Sequence, residues 1–253
     1  MIEPTRLLSI PGFNDPFSSL SHLAGAAIFA WLSVYLLRHG RGNRGSLISL
    51  AMFATACVLM LSVSGAYHSL QTGGASREVL QRLDHATIFV LIAASFTPVH
   101  AILFRGLWRW GMLAGIWALA FAGIALKILY FSEIPERVWL GIYLGLGWLG
   151  MLSWTTLWRR HGFPFVRVAL WGGLAYTLGA LADFLRWPVL VPQVLGPHEV
   201  FHLAVLAGIA FHWGFIHSIA AGGSAQAGKG LPEGAMRAVG SRTRRDLQPG
   251  RAF

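Results

Sequence analysis

The sequence predicts an all-α membrane protein, a polytopic bundle of seven transmembrane helices. Of its 253 residues, 55% are hydrophobic and only 12% are charged, whereas soluble domains carry about 25% charged residues. Apolar runs of roughly twenty residues recur along the chain, and each is long enough to cross a hydrocarbon core of roughly 30 Å as a helix. Backbone polar groups in lipid must form their hydrogen bonds within the protein, so only helices or a closed barrel can span the membrane. These runs are too continuously apolar for barrel strands.

The apolar runs define the expected spans and the domain organisation. The predicted spans cover residues 18–38, 46–70, 84–104, 108–128, 138–158, 165–187 and 197–219. We expect an N-terminal segment at 1–17, a transmembrane domain at 18–220 and a disordered basic tail at 221–253. The tail is rich in Gly, Ala, Ser and Arg, and this composition cannot bury a core.

The positive charge indicates membrane topology and argues against nucleic acid as a partner. The net charge is +10, but the basic residues lie in short connections and in the tail, where membrane proteins concentrate Lys and Arg. One membrane face has the larger share of the Lys and Arg residues. This face carries the tail and the connections at 39–45, 105–108 and 159–164. The positive-inside rule therefore predicts a cell-membrane protein with its N-terminus outside and its C-terminus in the cytoplasm. The expected partners are membrane lipids.

The seventh predicted span opens with a pair of histidines, His198 and His202. Their i,i+4 spacing places both imidazoles on one face of a helix, where they can bind one metal ion. The His-Glu-x-x-His pattern also matches zinc proteases, in which the glutamate is the general base. The alternative is two interfacial histidines that are hydrogen-bonded to neighbours or lipid headgroups.

His68 is the natural third ligand. Because spans alternate in direction, the end of the second span and the starts of the third and seventh lie at one membrane face. His68, Asp84, His198 and His202 are therefore expected at similar depth. Three protein ligands with an open position are typical of catalytic zinc, so the sequence predicts Zn²⁺ held by His68, His198 and His202.

Three further residues are candidates for the chemistry. A carboxylate at Asp84 can take a proton from water beside a metal, although Asp84 is alternatively an N-cap of the third span. Ser64 lies one turn before His68 and is either a hydrogen-bonding group of the site or a helix-packing serine. Glu199 is expected either to interact with the metal ligands without binding the metal itself or to act as a general base, as in zinc proteases.

The remaining polar residues of the spans have more ordinary interpretations. Asp183 and Arg186 are three residues apart, and a structural ion pair is the favoured interpretation over a catalytic role. Pro98 is expected to kink the third span and open a cavity. Packing or interfacial roles are expected for His85, His212 and His217, whereas His22 lies ambiguously on the face of the metal site.

Four motifs occur in order: Ser64-x-x-x-His68, Arg82-Leu83-Asp84-His85, Ser95-Phe96-Thr97-Pro98 and His198-Glu199-x-Phe201-His202. This set resembles the hemolysin III family, the bacterial branch of the progestin and adipoQ receptors, over residues 14–219. The resemblance implies a seven-helix fold, zinc on the three histidines, and Asp84 and Ser64 near a metal-bound water. It also implies kinship with alkaline ceramidases. The eukaryotic receptors differ in carrying Gln at the position of Glu199. The resemblance to them implies a zinc site on the cytoplasmic side of the membrane, whereas the charge count places the site outside.

These observations favour a zinc-dependent hydrolase that acts on a lipid amide or ester. Its substrate would be a sphingolipid or another lipid whose acyl chain enters a cavity among the helices. A membrane sensor or receptor-like protein with structural zinc is one alternative, and a cytolytic or pore-forming hemolysin is another. The predicted spans have no polar residues running through their middle depth, which argues against a constitutive pore and a metal transporter.

Overall fold

The computed structural model describes residues 13–228, with side chains from 13 to 222. Within this part of the chain the regular structure is helical, and seven helical segments are long and apolar enough to cross a membrane. The helices are α1 (Pro16–His39), α2 (Arg44–Ser69), α3 (Ala75–Leu103), α4 (Gly106–Leu129), α5 (Glu136–Trp148), α6 (Met151–His161), α7 (Phe163–Phe184) and α8 (Pro197–Gly228). The prediction of an all-α, seven-span bundle is confirmed.

Two predicted spans differ from the helices that form. The third was expected to begin at residue 84, but α3 begins at Ala75 because the polar stretch before the apolar run continues the same helix. The fifth consists of α5 and α6, which meet at a tight turn where Gly150 N donates to Gly147 O at 3.2 Å. Glycines are poor helix formers, and an i→i+3 bond tightens the helix locally.

The ends of the chain coincide only partly with the predicted segments. Residues 1–12 and 229–253 lie outside the described part, so most of the predicted tail does too. Residues 221–228 are helical and continue α8, so the helix extends past the predicted boundary at 220.

Local sequence signals account for several helix starts. Proline occupies the first helical position of α1 and α8, where its missing N–H costs no hydrogen bond. Asn43 caps α2, and its side chain accepts a hydrogen bond from Ser46 N at 3.1 Å. Gly162 joins α6 to α7 with φ of 80°, a conformation that glycine adopts without steric cost.

The bundle is organised around α8. Helix α1 packs between α2 and α8, α3 packs against α2, α4 and α8, and α7 packs along α8. Phe29 and Phe53 lie 5.2 and 5.5 Å from Trp213 between ring centroids, in a core shared by α1, α2 and α8. The α7–α8 contact is close because Gly179 of α7 faces Ala204 of α8, as small residues permit between membrane helices.

The outer surface is apolar. Large side chains on the spans, such as Trp31, Phe121 and Leu178, are at least 60% exposed. Exposing this much apolar surface to water is unfavourable, so we expect lipid to cover it. The chain is a multi-pass membrane protein.

Candidate metal centre

Three histidines meet at one end of the bundle. His68 lies in the last turn of α2, and His198 and His202 lie in the first turns of α8. Nε2 of His198 is 3.5 Å from Nε2 of His68 and 3.1 Å from Nε2 of His202. One ligand nitrogen from each ring lies within 4.8 Å of the other two. His68 and His202 are buried, and His198 is partly exposed.

Asp15 supports His68 from outside the bundle core. The His68 Nδ1–H donates to Asp15 Oδ2 at 3.1 Å, and the Asp15 backbone N–H donates to the His68 carbonyl at 3.0 Å. Arg77 also donates to Asp15 Oδ2, at 3.4 Å. Burial by itself raises the pKa of the Asp15 carboxyl, but hydrogen bonds from His68, Asn14 and Arg77 lower it below its usual value. The carboxylate therefore stays ionised behind the ring.

Asp183 supports His198 in the same manner. The His198 Nδ1–H donates to Asp183 Oδ1 at 3.3 Å, whereas the Arg186 guanidinium is 4.0 Å from that oxygen. The predicted Asp183–Arg186 ion pair is present, but the Arg186 side chain is 84% exposed. An exposed ion pair contributes little, so the interaction with His198 is the more important one.

The arrangement fits a cation. The Nδ1–H groups of His68 and His198 each donate to a carboxylate, so the Nε2 atoms of both rings carry lone pairs. These two Nε2 lone pairs face each other. Facing lone pairs repel unless a proton or a cation lies between them. Imidazole nitrogens suit zinc and similar transition metals, and Zn–N bonds of about 2.0–2.1 Å in a tetrahedron separate the nitrogens by roughly 3.3 Å. Among residues 13–222, this cluster of three could hold a metal ion.

Asp84 and Ser64 lie beside the cluster. The Asp84 carboxyl interacts with the Ser64 hydroxyl and with His68 and His198. Both residues line a cavity that the histidines also line. The alternative of Asp84 as an N-cap is wrong, because α3 begins nine positions earlier, at Ala75.

Glu199 is directed away from the cavity. Its Oε2 accepts a hydrogen bond from Gly196 N at 3.0 Å, and its Oε1 accepts one from Ser18 Oγ at 3.2 Å. The side chain is buried and is not part of the cavity wall. The first bond resembles half of a capping box. Glu199 thus stabilises the start of α8, which carries two of the histidines, and fastens it to α1.

The other histidines differ in their relation to the cluster. His22 is buried against His202, with ring centroids 4.0 Å apart, and its Nε2–H donates to the His202 carbonyl at 3.4 Å. His85 stacks on Phe131. On α8, His212 Nδ1–H donates to the Gly208 carbonyl, and the exposed His217 lies against His39.

Asp15 was not among the residues predicted for the site. It falls in the segment at 1–17, which was assigned to no function. A signal was available: Asp15 immediately precedes the first span, at the membrane face shared by His68 and His198. Nothing in the local sequence, however, indicates that this segment folds onto the end of α2.

A large cavity extends from the cluster between α2, α3, α5, α6, α7 and α8. Its volume is about 970 Å³, near the upper end of the roughly 300–1,000 Å³ typical of ligand pockets. Apolar side chains such as Met60, Leu91 and Phe201 line it together with the polar residues of the centre. The predicted cavity among the helices is therefore present.

The fold and the site define a class: a multi-pass helical membrane protein with a histidine cluster that could hold a metal ion. The chain belongs to the haemolysin-III related family, whose model matches residues 12–213. The resemblance predicted from the four motifs is thus confirmed.

Individual relatives show the same likeness. The chain is 29% identical to Hemolysin-3 of Bacillus cereus over 198 residues, 76% of this chain and 85% of that protein. It is 27% identical to the Hemolysin-3 homolog of Bacillus subtilis (strain 168) over 171 residues, 67% and 76% of the two chains. It is also 23% identical to an uncharacterized protein of Schizosaccharomyces pombe over 219 residues, 79% of this chain and 50% of that one.

Proposed function

We propose that this protein is a zinc-dependent hydrolase of a lipid amide or ester. The observation that carries the proposal is the junction of two features: a histidine cluster backed by two carboxylates, and a lipid-sized cavity whose wall includes Asp84. Catalytic zinc sites have three protein ligands, which matches the number of histidines in the cluster.

His68, His198 and His202 would hold the zinc. When bound, the ion supplies Lewis-acid chemistry that polarises a carbonyl and makes water more acidic. Asp15 and Asp183 orient two of the rings and raise their basicity through the Nδ1–H bonds.

Asp84 is the proposed proton acceptor. Its carboxylate takes a proton from the attacking water and then delivers it to the amine or alkoxide that leaves, so the carboxylate is regenerated. Ser64 interacts with Asp84 and positions it. Glu199 has both oxygens engaged away from the cavity, so we assign it a positioning role at the start of α8.

The substrate class follows from the cavity. A volume of about 970 Å³ with apolar walls suits an acyl chain, and the polar cluster at one end suits the amide or ester of the headgroup. A sphingolipid is one lipid of this class.

The charge distribution supports an extracytoplasmic metal centre in the cell membrane. At the end of the bundle opposite the histidines, the described residues include six arginines in connections or helix ends: Arg38, Arg41, Arg44, Arg105, Arg159 and Arg160. By the positive-inside rule this end faces the cytoplasm. The N-terminus would then be outside.

Metal analysis combined with lipid hydrolysis tests the function. We expect about one zinc per chain in the purified wild type, loss of zinc and turnover in His202→Ala, and neither change in His161→Ala, which alters an exposed histidine at the far end. Asp84→Asn should keep the zinc but lose turnover on a panel of lipid amides and esters. Equal zinc in wild type and His202→Ala would refute the site. Full zinc without turnover on any lipid would favour a sensor with structural zinc.

Membrane lysis is a second candidate, favoured by the names of the two Bacillus relatives, Hemolysin-3 and its homolog. It predicts release of dye from vesicles that incorporate the wild type. Release that is equal in His202→Ala would separate lysis from the metal centre.

A further inference from the structure

A histidine and a serine form a buried pair far from the metal centre. Ser153 Oγ donates to His100 Nε2 at 2.8 Å, and His100 Nδ1–H donates to the Phe96 carbonyl at 3.0 Å. His100 lies in the last turn of α3 and Ser153 in α6. Their exposed fractions are only 1% and 2%.

The pair lines the same cavity as the histidine cluster. Asp84 and His100 are both on α3, and a helical rise of 1.5 Å per residue places them about 24 Å apart along the axis. The cavity therefore has polar groups at both ends, with the metal centre at one and the Ser153–His100 pair at the other.

The hydrogen bonds determine which chemistry remains available at the far end. With Nδ1–H donated to Phe96, His100 Nε2 is an acceptor, and it takes the proton of the Ser153 hydroxyl. Both nitrogens of His100 are then used, whereas Ser153 Oγ keeps lone pairs. The free capacity of the pair is thus that of an acceptor, which suits a hydroxyl group on a ligand.

Ser153 also differs from its neighbours on α6. Thr155 and Thr156 direct their hydroxyls to the Leu152 carbonyl of their own helix, the usual way to satisfy a hydroxyl in a membrane helix. Ser153 instead extends to another helix, at the cavity wall. Polar groups within a membrane bundle are costly and commonly mark functional sites.

We propose that Ser153 and His100 form a second subsite of the cavity, which binds a hydroxyl group near the end of a long acyl chain. The headgroup of the same lipid lies at the metal centre, and in this respect the inference rests on the proposed function. The subsite makes the protein select long-chain lipids whose chain carries a terminal hydroxyl.

Equilibrium binding of two fatty acids tests the subsite without requiring turnover. The probes are palmitic acid and its ω-hydroxy derivative, measured with purified zinc-loaded protein in detergent. One added hydrogen bond should make the hydroxylated acid bind about five-fold more tightly to the wild type. Ser153→Ala alone would leave His100 Nε2 as a free acceptor, so the test uses the double variant Ser153→Ala/His100→Phe, which removes both acceptors and should bind the two acids equally. Cooperative thermal unfolding would show that the double variant is folded. Thr155→Ala, which removes an exposed hydroxyl of α6, should keep the preference.

The outcomes distinguish the subsite from the hydrolase. Equal affinity of the wild type for both acids, a preference that persists in the double variant, or no binding of either acid would overturn the subsite and leave a pair that only holds α3 to α6. A five-fold preference in a protein that hydrolyses no lipid would support the subsite and refute the hydrolase.

Discussion

The Asp15 carboxylate accepts a hydrogen bond from His68 Nδ1 at 3.1 Å, across 53 positions of sequence. A second bond, from Asp15 N to the His68 carbonyl, joins the backbones of the same two residues. The residue that precedes the first span thereby becomes part of the centre formed by α2 and α8. Because the carboxylate determines which nitrogen of His68 carries the proton, it also orients the lone pair toward the cluster.

Removing the charge of Asp15 should weaken metal binding. Asp15→Asn is expected to lower zinc affinity about 10–100-fold, the usual effect of losing a carboxylate behind a metal-binding histidine. A competition titration with a chromophoric chelator measures the affinity. Glu133→Gln is the control, since Glu133 is an exposed acid between α4 and α5. Identical affinities in wild type and Asp15→Asn would show that the contact with His68 is only structural.

Substitutions at Asp183 and at its neighbour Arg186 test whether the Asp183 carboxylate supports metal binding through His198. Asp183→Asn should lower zinc affinity because it removes the acceptor of the His198 Nδ1–H. Arg186→Gln should leave the affinity within about two-fold, since the guanidinium is exposed and its ion pair is weak. The same titration measures both variants. If the carboxylate served only the ion pair with Arg186, the two substitutions would have equal effects.

Glu199 separates a structural role from a catalytic one. Glu199→Ala leaves the partly buried Gly196 N–H and the buried Ser18 hydroxyl without their acceptor, which should cost about 1–3 kcal/mol and lower the Tm. Glu199→Gln keeps an acceptor for Gly196 N and should retain both the Tm and the turnover within a few-fold. Loss of turnover in Glu199→Gln at an unchanged Tm would instead identify Glu199 as the general base.

Two glycines of the α7–α8 pair should respond oppositely to alanine. A Cβ at Gly179 would collide with Ala204 Cβ, whereas one at Gly214 meets nothing within 4 Å. Gly179→Ala should therefore destabilise the bundle by about 1–3 kcal/mol. Gly214→Ala should be neutral or stabilising by up to about 1 kcal/mol because alanine favours the helix. Thermal unfolding in detergent gives both values, and similar shifts in the two variants would contradict the close contact.

Cysteine labelling tests the membrane orientation. In a Cys57→Ala background, which removes a fully buried thiol, single cysteines replace exposed Thr72 and His161 at opposite ends of the bundle. An impermeant maleimide should label Thr72→Cys in intact cells, and His161→Cys only after lysis. The reverse pattern would place the histidine cluster on the cytoplasmic side.

Much of the fold was predictable because the membrane constrains it strongly. Long apolar runs have few structural options in lipid, so seven spans followed from composition and length. Boundaries were less certain where helices continue beyond the apolar run, as α3 does before Asp84 and α8 does after residue 220. Hydropathy identifies the part of each helix that lies in lipid, whereas the positions of the helix ends depend on caps and turns.

The histidine cluster was predictable for a topological reason. The i,i+4 pair His198 and His202 lies on one helix face, and the alternation of spans brings His68 to the same end. What the pattern left open was the surroundings of the rings. It favoured the ion pair for Asp183 and kept Glu199 as a candidate base, whereas the structure places Asp183 on His198 and Glu199 against Gly196 and Ser18.

By itself, the sequence determined that this protein is a seven-span helical bundle of the hemolysin III family with three histidines at one face. These properties depend on length, hydropathy and short-range periodicity, which are local. Only the tertiary structure decided that Asp15 supports His68, that Asp183 supports His198, and that Ser153 meets His100 at the other end of the cavity. Those contacts depend on how separate helices rotate and pack against each other, and the packing involves side chains distributed over the whole chain.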